Sequence, residues 1–227
     1  MMTANDTAPF DAALFDLDGT LVDTERVLYE AWTELVARAG ADFRTFDYAR
    51  IIGKPDLDCC RIVSGHFGLD REPVLWYVEY RDIAYALMDR GLDLRPGARE
   101  ILDRLDALGL PMALVTSATR EHAQKALGRF GLFDRFRAHV TADTEGLAAR
   151  KPDPAPYRLA AALLDVAPSR CAAFEDSPSG VRSARDAGCA VFAVPHAHSP
   201  MEGLRDAHVI LASLADFRPE TARQLLP

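Results

Sequence analysis

Residues 12–15 read Ala-Ala-Leu-Phe, apolar at every position, and Asp16, Leu17, Asp18, Gly19 and Thr20 follow directly. A short run without a polar position reads as a buried strand. It delivers two carboxylates at its C-terminal end, the edge where open α/β sheets bind ligands. Gly19 supplies a sharp exit at which a positive φ costs little. Two acids this close repel, so a fold keeps both only with a cation, a shared proton or nearby donors, and a hard divalent ion is the simplest remedy. For these residues alone the competing reading is an Asp-x-Asp-Gly turn formed for local reasons.

Further short apolar runs occur at 112–117, 138–142, 171–175, 190–194 and 209–211, and helical patterns separate them. In 98–108, Ile101, Leu102, Leu105 and Leu108 share one face, with Pro96 before the helix and Gly109 at its end. In 120–130, Ala123, Ala126, Leu127 and Phe130 face inward and Gly131 is the stop. This alternation predicts an α/β fold with a doubly wound, mainly parallel sheet. Between the first and second strands the pattern changes: 24–39, 46–52, 57–67 and 72–90 read as helices with no strand among them. We expect a helical cap domain at 24–94, inserted into a core formed by 9–23 and 95–227, and able to close over the catalytic edge.

The chain has 227 residues, of which 49% are hydrophobic, ample for a packed core. A net charge of −8 argues against nucleic acid or an anionic membrane as the main partner, but a local cation still permits a small anionic substrate. Cys59, Cys60, Cys171 and Cys189 form no C-x-x-C pair, which suits reduced thiols and a cytoplasmic location. Cys171 and Cys189 read as small buried hydrophobes. No apolar run has membrane-spanning length, and about eight leading residues read as a frayed leader. We expect a monomer or weak homo-oligomer.

Three later segments also place polar groups at strand ends. The second strand runs into Thr116, Ser117, Ala118 and Thr119 before a helix, where hydroxyls and free N–H groups suit an anion, although one hydroxyl is explained equally well as a helix cap. Lys151 sits in a stiff Lys-Pro-Asp-Pro loop, from which it could reach the carboxylates. Ala172-Ala173-Phe174-Glu175-Asp176 repeats the opening theme, an apolar strand ending in two acids.

With these four segments in order, the chain resembles the haloacid dehalogenase-like superfamily over essentially its whole length. The residues carrying the resemblance are Asp16-Leu17-Asp18-Gly19-Thr20, Thr116, Lys151-Pro152 and Glu175-Asp176. The helical insert and Phe174-Glu175-Asp176-Ser177-Pro178-Ser179-Gly180-Val181 resemble the phosphatase and β-phosphoglucomutase branch. That resemblance implies a Rossmann-like core and an aspartyl-phosphate mechanism. Asp16 would be the nucleophile and Asp18 the acid/base. Mg²⁺ would be held by Asp16, the Asp18 main-chain carbonyl and Asp176, with Glu175 as a ligand or its partner. Thr116, Ser117, Lys151 and Gly19 would bind phosphate, and Arg120 and Lys54 are further candidates for substrate contact.

The presence of Asp18 favours phosphoryl transfer over dehalogenation. A β-phosphoglucomutase-type mutase is the alternative, but Leu28 stands where such enzymes usually carry a His, and no Arg follows Gly53 at the usual place. A catalytically silent binding protein on the same fold is the alternative from another class. His196-Ala197-His198 reads as a surface loop rather than a metal site, and Trp32 and Trp76 read as packing residues.

Overall fold

The computed structural model describes residues 10–52, 54–197, 199–223 and 225. The leading residues, Gly53 and His198 lie outside that set. Six parallel strands form one sheet: β1 (Ala12–Phe15), β2 (Met112–Val115), β3 (Ala138–Val140), β4 (Cys171–Glu175), β5 (Ala190–Ala193) and β6 (Val209–Ile210). Their order is β3-β2-β1-β4-β5-β6, so the chain reverses direction across the sheet between β1 and β4. The strand runs read from sequence at 112–117, 138–142 and 209–211 stop one to two residues earlier here, because their last residues turn into loops.

Strand alternation divides the core into two layers. Ala13, Phe15, Met112, Leu114, Phe174 and Phe192 pack on one face, while Leu14, Val115, Ala173 and Val191 pack on the other, all of them buried. Phe15, Phe174 and Phe192 are register partners on three adjacent strands. Their rings stack at 4.6 and 5.4 Å, and Phe217 meets the last two edge-on at 4.9 and 5.0 Å. Such pairs contribute about 0.5–1.5 kcal/mol each beyond area burial, and they tie β1 to β4 directly beneath the edge where their acids emerge.

The helices are α1 (Thr24–Arg38), α2 (Asp56–Phe67), α3 (Pro73–Arg90), α4 (Ala98–Ala107), α5 (Arg120–Gly128), α6 (Ala155–Leu163), α7 (Pro178–Ala187), and the short α8 (Met201–Leu204) and α9 (Pro219–Arg223). Helices α1 to α3 enclose a core of their own, built around Trp32, Leu35, Phe43, Cys60, Val63 and Trp76. The helix expected at 46–52 is absent. In its place is a single 3₁₀ turn, Tyr48–Arg50, preceded by another at Phe43–Thr45. Asp42 and Asp47 accept from the main-chain N–H two residues on, a local bond that competes with continuing a helix. The two chain crossings into this helical unit run side by side, with Asp23 N–H donating to Asp93 and Arg95 N–H to Leu21, each at 2.9 Å.

Candidate active site

Because Phe15 and Phe174 are register partners, Asp16 and Glu175 leave adjacent strands at the same height. The Asp16 N–H still donates to the Phe174 carbonyl at 3.0 Å, which fixes the backbone beneath the carboxylate. Lys151 comes from the loop between β3 and α6. Its Nζ donates to Asp16 Oδ1 at 2.7 Å, to Glu175 Oε1 at 2.6 Å and to the Val115 carbonyl at 2.7 Å. Three strand ends, β1, β2 and β4, therefore share one ammonium.

Glu175 is fully buried, and its carboxylate is spent on protein donors. Oε1 accepts from Lys151 and from the Tyr157 hydroxyl at 2.7 Å. Oε2 accepts from the Ser177 hydroxyl and from the main-chain N–H groups of Asp176 and Ser177. Gly180, in the first turn of α7, has to lack a side chain, because a Cβ there would lie 1.9 Å from the Glu175 carboxyl. The acid and the glycine are one device for placing Lys151.

Oxygens of Asp16, Glu175 and Asp176 lie within 4.8 Å of one another. Burial pushes the carboxyls of Asp16 and Asp176 well above the usual range; Lys151 opposes the rise, and the crowding of acids adds to it. Burial would lower the Lys151 ammonium, but Asp16 and Glu175 outweigh it and raise its pKa. One lysine does not balance three acids, and an all-oxygen donor set suits a hard divalent cation. Gly19 (φ +82°) lets the chain pass close by, since a Cβ on it would sit 2.2 Å from Asp176 Oδ2. Its N–H is given to the Val22 carbonyl at 2.9 Å, so Gly19 makes room beside the acids and does not supply the phosphate donor expected from sequence.

Asp18 faces the cleft, and its Oδ1 accepts from His122 Nε2–H at 2.8 Å. Burial would raise the Asp18 carboxyl, but His122 outweighs it and lowers the pKa; Asp18 in turn raises that of His122 against the effect of burial. Thr116 and Ser117 line the same cleft. The cap of α5 is Thr119, whose Oγ1 accepts the His122 N–H, so Thr116 and Ser117 are not needed for capping. Thr116 Oγ1 accepts from Ala118 N–H at 3.0 Å and keeps its own O–H to donate.

The wall opposite comes from the helical unit. Glu25, Leu28, Trp32, Tyr48, Lys54, Tyr77, Tyr80 and Tyr85 line it. Trp76 is pure core, as expected, whereas Trp32 both stacks on Tyr80 at 4.3 Å and borders the cleft. Glu25 accepts from the Tyr48 hydroxyl at 2.8 Å, and burial, with Asp176 nearby, raises its carboxyl to about 7. Arg120 does not join the site: its guanidinium lies over the Phe133 ring at 5.3 Å, outside the cleft. His196 departs from the surface loop expected of it. Its side chain is 3% exposed, with Nε2 3.0 Å from Asp176 Oδ2 and near Glu25. Ser199 folds the loop inward by accepting the His196 N–H and donating to the Asp176 carbonyl.

His122, Glu25, Tyr48, Tyr157 and His196 were not picked out as site residues from sequence. Only His122 carried a usable signal, standing in the first turn of the helix that follows a strand-end hydroxyl cluster. All four cysteines are buried and free, and among the described residues no helix is long and apolar enough to cross a membrane.

A family model described as a haloacid dehalogenase-like hydrolase matches residues 10–188. Validoxylamine A 7'-phosphate phosphatase of Streptomyces hygroscopicus subsp. limoneus is 33% identical, over 92% of this chain and 96% of its own. Hexitol phosphatase A of Escherichia coli (strain K12) is 34% identical, over 88% and 90%. The crystal structure of CbbY from Rhodobacter sphaeroides in complex with phosphate superposes with a TM-score of 0.76 at 27% identity, covering 91% of this chain and 96% of that one.

Proposed function

The chain belongs to the haloacid dehalogenase-like hydrolases, and from that footing we propose that it is a Mg²⁺-dependent phosphatase of a small phosphorylated sugar or polyol. The observation that carries this reading is the Lys151 ammonium fixed between Asp16 and Glu175, with Asp18 two residues on and facing the cleft. Lys151 holds Asp16 through Oδ1 and leaves Oδ2 to attack phosphorus. The new bond runs from Asp16 to phosphorus, the ester P–O bond breaks, and the leaving oxygen takes a proton from Asp18. Approach of the phosphate dianion raises the Asp18 carboxyl and loads that proton. In the second half Asp18 takes a proton from water as the water attacks phosphorus, which frees phosphate and restores Asp16. Thr116 and Ser117 hold the phosphoryl oxygens, and the Lys151 ammonium, its three N–H groups given to Asp16, Glu175 and Val115, attracts them through its charge.

Asp16, Asp176 and the Asp18 main-chain carbonyl would hold the ion, with Glu175 anchoring Lys151 rather than binding metal directly. When bound, the ion neutralises the charge that otherwise keeps an anionic nucleophile from a phosphate. The helical unit, 24–94, acts as a cap hinged at its paired crossings on a core of 9–23 and 95–227. Its aromatic faces, Glu25 and Lys54 suit a polyhydroxylated substrate body, in keeping with relatives named for validoxylamine A 7'-phosphate and hexitol. Leu28, apolar on the cleft wall, supports hydrolase over mutase. Four buried thiols fit a cytoplasmic protein, which we take to be a monomer or weak homo-oligomer.

The test is inorganic phosphate release from a panel of sugar and polyol phosphates, with Mg²⁺ and with EDTA, beside conversion of β-glucose 1-phosphate. Release that needs Mg²⁺ and is lost in Asp16→Asn is expected. Isomerisation without net release would make the protein a mutase, and a wild type as inert as Asp16→Asn would make it a binding protein.

A further inference from the structure

We propose that His122 is the positioning residue for Asp18, fixing the carboxyl that protonates the leaving group. The proposal rests on the phosphatase reading above. Asp18 lies in the loop after β1 and has two rotatable side-chain bonds, so its carboxyl is aimed only if something holds it. Its Oδ1 is held by His122 Nε2–H at 2.8 Å, across 104 residues of sequence.

His122 is itself held by its surroundings on the core side and on the cap side. Its N–H is bonded to Thr119 Oγ1 in the first turn of α5, its imidazole is 13% exposed, and the Tyr85 ring of α3 lies 6.1 Å away on the cap side. Both His122 and Asp18 line the cleft, so the pair faces the space a substrate would fill. With Oδ1 tied to His122, Oδ2 is the oxygen that meets the leaving group, while the Thr24 hydroxyl beside the carboxyl favours its charged form. Lys151 does the same for Asp16, so nucleophile and acid are each held through one oxygen.

A group that acts through Asp18 matters in proportion to how much the leaving group needs a proton. An alkoxide leaves poorly without one, whereas a nitrophenolate leaves without help. The experiment is kcat/KM, which reports the step that expels the leaving group, for wild type, His122→Ala and His122→Gln. Each is assayed on an alkyl phosphate that the wild type hydrolyses and on p-nitrophenyl phosphate. For His122→Ala the alkyl ester should lose about a hundredfold and the aryl ester no more than about threefold. His122→Gln, which keeps an N–H donor near Nε2, should recover most of the alkyl activity. The aryl substrate serves as the folding control within each variant. Equal losses on both esters, or no loss on either, would overturn the positioning role while leaving the phosphatase reading intact. A wild type that hydrolyses no alkyl phosphate of the panel and leaves p-nitrophenyl phosphate intact would overturn both.

Discussion

Replacing Gly180 with alanine drives a methyl group into the carboxylate that anchors the catalytic lysine. The added Cβ would lie 1.9 Å from Glu175 Oε1, so the carboxylate must retreat by roughly 1.5 Å to regain an ordinary contact. Its bonds to Lys151, Tyr157 and Ser177 span 2.6 to 3.1 Å, and a retreat of that size breaks most of them. Disrupting a buried, paired charge in this way costs about 3–5 kcal/mol, which lowers the melting temperature of a chain this long by about 6–20 °C. Displacement of Lys151 should also reduce kcat/KM by about a hundredfold. Thermal unfolding and phosphate release read the two effects. Gly65→Ala, in α2 with nothing within 4 Å of the added methyl, is the control and should stabilise by up to about 1 kcal/mol. In a Glu175→Ala background, Gly180→Ala should cost less than about 1 kcal/mol, since the clashing group is gone. A Gly180→Ala protein that melts and turns over like the wild type would refute the link between Gly180, Glu175 and Lys151.

Arg120→Ala should leave kcat and KM within about twofold, since its guanidinium rests on Phe133 away from the cleft; a large rise in KM would return it to the substrate site. His208 Nδ1 accepts the Val191 N–H at 3.0 Å, so the native imidazole is neutral, and burial followed by Arg185 lowers its pKa. The unfolded chain then binds the proton more readily, so stability is full above an unfolded pKa of about 6.5 and falls as the pH drops below it. Melting curves from pH 7.5 down to 5 (roughly spanning that pKa) should show a shallower decline in His208→Asn, which keeps an acceptor that does not titrate; an unchanged slope would discount His208.

The sheet and its active edge were legible in sequence because they rest on local signals. Continuous apolar runs marked β1, β2 and β4, and the polar residues that end them fall together once the strands are parallel. What could not be read were contacts fixed by the sheet order rather than by neighbours in the chain. For Glu175, read as a metal ligand or the partner of one, the bonds from Tyr157, Ser177 and Lys151 that occupy its oxygens favour the second. His122 meets Asp18 only because β2 lies beside β1, and His196 reaches Asp176 only because the loop after β5 folds inward. Gly19 and Arg120 misled for the opposite reason. Each stood at the right place in the chain, yet the N–H of one and the guanidinium of the other were already committed elsewhere. The helix expected at 46–52 failed because Asp42 and Asp47 offer the backbone a closer partner than the next helical turn.

The claim on which the mechanism stands is that Asp16 attacks phosphorus and is then released by water, two displacements in place of one. The stereochemical course at phosphorus tests it most directly, using a phosphorothioate ester made chiral with heavy oxygen isotopes and hydrolysed in ordinary water to chiral thiophosphate. Two in-line displacements give net retention of configuration, the expected result. Net inversion would mean that water attacks the substrate directly, and Asp16 would lose its role as nucleophile.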